Sequence, residues 1–173
     1  MNGTVKFAIG FGLAGLVGGA VSGGGIFLGL GVFGALCGVV LGAVTHNRRI
    51  GLVAAVVGAA TFMAGGALAF VIGMAFGVAS GAPDWYDALA PAFMGACAGM
   101  AGGFGLAVVA RNAGYSWRNA IGLALGFAVA ALLNQAWLLN VLPGGVLQAA
   151  WPLGLWGLLG GVGFGLLSRS PGN

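Results

Sequence analysis

Charge is the scarcest commodity in this sequence: six Lys or Arg, two Asp and one His in 173 residues, with no Glu at all. Soluble domains carry about 25% charged residues because their surface needs them. At 5% charged and 60% apolar, with a mean hydropathy of +1.08, the chain cannot solvate a globule. The six cations are spread over separate short segments and form no stripe, so the pI of about 9.8 does not point to nucleic acid. Cysteine is nearly absent too. Cys37 and Cys97 both fall inside apolar runs, which argues against a disulfide framework and for two small buried side chains. Acid–base chemistry needs titratable groups within hydrogen-bond reach, and His46 is expected on the opposite face from the two aspartates. Asp84 and Asp87 are two carboxylates without further acidic ligands, a poor calcium site, and no metal centre or cofactor is expected.

What the sequence does have is long apolar runs. Five of them are separated by short polar segments, and a sixth runs towards the C-terminus. A bilayer core takes about 20 apolar residues in helical form. The expected spans are Val5–Val21, Ile26–Val44, Ile50–Ala79, Leu89–Ala110, Asn119–Leu139 and a last one from about Trp151 to Ser168. Pro91 and Pro152 would then sit in first turns, where proline costs no hydrogen bond. Lys6, Arg48, Arg49, Arg111, Arg118 and Arg169 fall before the first run or after the second, fourth and sixth, while both aspartates follow the third. An excess of Lys/Arg marks the cytoplasmic side. The expectation is an all-α integral membrane protein of six transmembrane helices, both termini cytoplasmic, in a bacterial inner (plasma) membrane. Lys6 ahead of an apolar run, with Ala20-Val21-Ser22 behind it, has the outline of a cleaved leader. The run is longer and richer in glycine than such leaders, so it is taken as the first helix.

Glycine is the second abundance, 38 residues, and it is patterned. Gly15 and Gly19 lie four apart in the first run, as do Gly34, Gly38 and Gly42 in the second and Gly95, Gly99 and Gly103 in the fourth. Gly122 and Gly126 in the fifth run and Gly157, Gly161 and Gly165 in the sixth follow the same spacing. Residues four apart share one helix face. Each such helix therefore offers a groove into which a neighbour's backbone can settle, the packing that membrane helices use in place of a hydrophobic drive. The second run closes on Gly38, Gly42, Thr45 and His46, the sixth on Gly161, Gly165, Ser168 and Arg169. These parallels predict one glycine-zipper-packed domain of three repeated hairpins, approximately 1–46, 47–112 and 113–173. The third run departs from the pattern, with Gly51, Gly58 and Gly65 seven apart, and is expected to lie at the periphery or against a partner.

No ionisable group lies mid-span, where such groups usually mark proton or ion paths. Thr61, Asn134 and Gln135 are the polar side chains within the spans. They suit interhelical hydrogen bonds or the lining of a narrow neutral path. His46 is the one residue that could ligate a pigment or haem, but beside Asn47-Arg48-Arg49 it suits a solvated loop better. Ser22 lacks the glycine two residues earlier and the later outward-facing histidine of a serine nucleophile, and the glycines are not followed by a phosphate-loop lysine. The functional expectation is a non-enzymatic membrane subunit: a tightly packed scaffold or assembly component that meets lipid and either copies of itself or other membrane subunits. The alternative is a passive channel or facilitator for a small neutral solute.

Overall fold

The computed structural model describes residues 2–81, 84–134 and 146–168. Among them the chain is helical throughout, with no strand. The elements are α1 (Gly3–Val21), a 3-10 turn (Ser22–Gly24), α2 (Ile26–Val44), α3 (Arg48–Ser80), α4 (Asp84–Val109), a 3-10 turn (Arg111–Ala113), α5 (Trp117–Leu133) and α6 (Val146–Leu166). Four helices are long and apolar enough to cross a membrane; the apolar helices Trp117–Leu133 and Ala150–Leu166 are shorter. Each helix packs on the next, and α1 packs on α6, so the six close into an up-and-down ring.

Local chemistry explains the turns. Asn2 caps α1 by accepting from the Thr4 N–H (3.4 Å), and Asn47 caps α3 by accepting from Ile50 (3.1 Å). Between α2 and α3, the Asn47 N–H reaches back to the Gly42 carbonyl (3.0 Å) and the His46 N–H to that of Ala43 (3.4 Å). That is a Schellman ending, and it needs a left-handed residue at its corner. His46 takes that role at φ 52°, a conformation in which histidine is enriched among non-glycine residues.

Two helices begin five residues earlier than their composition suggests, the others within two of the expected start. α4 starts at Asp84 rather than Leu89, absorbing Asp84-Trp85-Tyr86-Asp87 into helix, and α6 starts at Val146 rather than Trp151. Pro91 and Pro152 consequently lie inside helices, not in first turns. Each deprives the carbonyl four residues earlier of its usual donor, a loss that helices packed in a bundle tolerate. The expected end of the fifth span, Leu139, lies outside the described residues.

α3 is 33 residues long, about 50 Å at 1.5 Å per residue. Its partner α2 has 19, about 28 Å, close to the thickness of a bilayer core. The two run antiparallel until Phe27 meets Phe70 (centroids 6.4 Å apart). Beyond that point α3 continues alongside the start of α4 alone. There the Tyr86 ring stacks on Phe76 (5.9 Å), and its hydroxyl donates to the Gly73 carbonyl. A Cβ on Gly77 would come within 3.1 Å of that ring, so Gly77 makes room for the tyrosine.

Candidate functional site

The interior of the ring is built from glycine seams on the outside of a phenylalanine core. α2 sets Gly34, Gly38 and Gly42 on α3, where added methyl groups would overlap the Gly58 carbonyl, the Ala54–Ala55 peptide and the Gly51 Cα. α4 sets Gly95, Gly99 and Gly103 on α5; a Cβ there would stand 3.0 Å from the Phe127 oxygen, 2.9 Å from the Ala124 Cα and 2.7 Å from the Ala120 Cα. α6 sets Gly157, Gly161 and Gly165 on α1, against the carbonyls of Phe11 and Phe7 and the Thr4 Cα. Gly15 answers from α1 against the Leu153 carbonyl, and Gly122 and Gly126 meet the carbonyls of Gly163 and Leu159 across the α5–α6 seam. Gly19 is buried, and its carbonyl accepts from the Ser22 hydroxyl (2.6 Å). Gly19 apart, these are close approaches to a neighbouring helix backbone, and at most of them an added Cβ would come within 3.0 Å of it.

Inside the seams, Phe33 of α2, Phe62 of α3 and Phe127 of α5 form a triangle with centroids 4.9, 5.7 and 5.9 Å apart. Towards the basic end, Phe7 and Phe11 of α1 meet Phe164 of α6 at 5.3 and 5.7 Å. Tyr115, in the turn before α5, closes this group against Phe7 (5.8 Å) and Phe164 (5.5 Å). All six phenylalanines are fully buried. Edge-to-face and offset pairs of this kind are worth about 0.5–1.5 kcal/mol each beyond their contact area. Burial of Tyr115 pushes its phenol above the ordinary tyrosine value.

The charged groups lie at the ends. Lys6 near the start of α1, Arg48 and Arg49 at the α2–α3 turn, and Arg111 and Arg118 around the α4–α5 turn share one end of the ring. Asp84 and Asp87 belong to the first turn of α4 at the other. Arg169 and Gln135 lie outside the described residues. His46 is exposed at the basic end. No group of His, Cys, Asp and Glu that could hold a metal occurs among the described residues. Both cysteines are free thiols, Cys37 fully buried.

The polar side chains divide sharply. Thr61 donates to the carbonyls of its own helix, Val57 (2.8 Å) and Gly58 (3.3 Å), and packs on Gly105 of α4. Asn134, at the end of α5, is 7% exposed; its Nδ2 donates to the Pro152 carbonyl at 3.4 Å, and among the described residues its Oδ1 has no partner. The buried indole N–H of Trp156, one turn along α6 from Pro152, is also without a partner among the described residues. Pro152 and Trp156 line a cavity of about 130 Å³ at this end, with Leu30, Phe70 and Met94 among its other walls. The cavity lies on the same side of the phenylalanine triangle as the Phe27–Phe70 pair.

The sequence reading did not single out Asn119. It is fully buried, donates from Nδ2 to the Phe164 carbonyl (2.7 Å) and accepts at Oδ1 from the Ser116 N–H (2.8 Å). The signal was present: a Ser followed three residues later by an amide, at the head of an apolar run, is half a capping box. Phe7 and Phe11, four apart, likewise announce a shared face. Comparison with protein-family models, with curated proteins and with solved structures finds no match to this chain.

Proposed function

We propose that the chain is a non-enzymatic integral membrane subunit, a closed six-helix scaffold with both termini cytoplasmic in a bacterial inner membrane. One observation carries this reading: the ring's interior is occupied by fully buried phenylalanines, while Lys6, Arg48, Arg49, Arg111 and Arg118 belong to one end of it. A solute path needs polar lining or a continuous opening; a scaffold needs neither. The glycine stripes support a zipper, since close backbone approach is how membrane helices gain contact area. A threefold repeat is supported by the way α2, α4 and α6 each turn the same three-glycine stripe to the helix that follows round the ring. With hairpins of approximately 1–46, 47–112 and 113–173 as the repeated unit, the second helix of each unit packs its stripe on the first helix of the next, and α6 on α1.

Association with other membrane subunits, or with copies of the chain, falls to the outer surface. The outward side of α3 carries Leu52, Val56, Leu68 and Val71, all more than half exposed. The experiment is gentle detergent extraction of the protein from its native membrane, followed by mass identification of what travels with it. A stoichiometric membrane partner or a defined homo-oligomer is the expected result. A lone monomer that conducts a neutral solute in liposomes would overturn the scaffold. That second reading, passage of a small neutral solute, is favoured by one feature: the cavity beside Trp156 and Pro152, with an unpaired donor and an unpaired acceptor close by.

A further inference from the structure

The Schellman turn at His46 leaves a furrow on the outer surface between the end of α2 and the start of α3, about 520 Å³ in volume. Its floor is the close contact of Gly42 with Gly51, where two helices without side chains meet. Its walls are apolar and turned outward: Val39 (54% exposed), Ala43 and Leu52 (72% exposed). Its rim is His46, Asn47 and Arg48, all exposed. Arg49 is equally exposed but takes no part in the lining. The furrow is thus greasy along its length and cationic at one end, and the two aspartates of the sequence belong to the first turn of α4, at the far end of the ring.

We propose that this furrow seats one anionic phospholipid. An acyl chain lies over the Gly42–Gly51 contact between Val39, Ala43 and Leu52, and the headgroup phosphate meets the Arg48 guanidinium with His46 beside it. Arginine matches phosphate oxygens in two-pronged geometry. The start of α3 adds the positive end of its dipole. Basic recesses between membrane helices on the cytoplasmic side are where acidic headgroups bind. The charge selects an anionic lipid, and the apolar walls require a chain attached to it, so a free phosphate satisfies half of the site. The inference rests on the membrane reading and is independent of the scaffold assignment, because it concerns lipid and not a protein partner.

The test is native mass spectrometry of the protein released from nanodiscs of phosphatidylcholine containing a minor fraction of phosphatidylglycerol. The wild type is expected to retain one phosphatidylglycerol in preference to phosphatidylcholine. Arg48→Gln should lower that preference about fivefold, the effect of one cation near a membrane surface, and Arg49→Gln should change it little. Ala43→Phe fills the furrow with every cation intact and should abolish retention; Leu52→Asn, at a freely exposed site, serves the same purpose should the phenylalanine variant fail to fold. Soluble glycerol phosphate should not displace the lipid. Equal retention of the two lipids, equal effects at Arg48 and Arg49, unchanged binding in the two furrow variants, displacement by glycerol phosphate, or a dimer that carries no lipid would each overturn the proposal.

Discussion

Two buried asparagines close the two ends of the ring, and they do so differently. At the basic end Asn119 uses both halves of its amide, tying the Ser116 turn to the last turn of α6, beneath Tyr115, Phe7 and Phe164. At the other end Asn134 makes a single long bond to the Pro152 carbonyl, and among the described residues its oxygen has no partner; Pro152 in turn lines a cavity with Trp156, whose indole N–H is likewise without one. An unpaired buried polar atom costs about 1–3 kcal/mol of desolvation, whereas a satisfied one contributes modestly. The same residue type therefore rigidifies one end and leaves stability unrealised at the other. What separates them is the neighbourhood. α5 begins in a turn that offers a free N–H, and it ends against a helix interrupted by proline.

The largest effect expected is on what both ends share. Gly38→Leu pushes a branched side chain into the Ala54–Ala55 peptide and should lower stability by more than about 3 kcal/mol, read as loss of a cooperative melt in detergent. Gly3→Ala, where nothing lies within 4 Å, should leave the melt unmoved. Equal behaviour of the two variants would dissolve the seam argument.

Next comes the comparison itself. Asn119→Leu strands the Ser116 N–H and the Phe164 carbonyl and should cost about 2–3 kcal/mol. Asn134→Leu gives up one long bond but also an orphaned oxygen, so its melt should stay within about 1 kcal/mol of wild type. Comparable losses would mean that Asn134 has a partner in solution that its surroundings here do not supply. Trp156→Phe, which removes the other orphan, should shift stability by less than about 1 kcal/mol in either direction.

The smallest effect belongs to Tyr115. Its phenol is raised by burial, so the folded state holds its proton where the unfolded chain releases it. Stability should be flat below the ordinary tyrosine range, fall as the pH rises through it, and level off above the folded value. Tyr115→Phe should remove that slope, as followed by thermal melts across alkaline pH.

The glycine stripes were legible because a spacing of four selects one helix face whatever surrounds it. The ends of α2 matched their expected positions since Gly25 and the Thr45–Asn47 turn punctuate a uniformly apolar run. The starts of α4 and α6 did not. Polar or proline-bearing segments suggested loop, but the neighbouring helix supplied Tyr86 with a carbonyl on Gly73, which draws that segment into helix. Asn119 escaped notice because its importance depends on Phe164, 45 residues away.

By itself, the sequence determined the all-helical class of the molecule, the approximate course of its apolar helices and the separation of basic from acidic ends. All three follow from local hydropathy and charge, which need no partner to express themselves. Only the tertiary structure decided which helix each stripe would face, which amide would be satisfied and where the phenylalanines would meet. A ridge of glycines fits any backbone that comes close, so its partner is chosen by the closing of the ring.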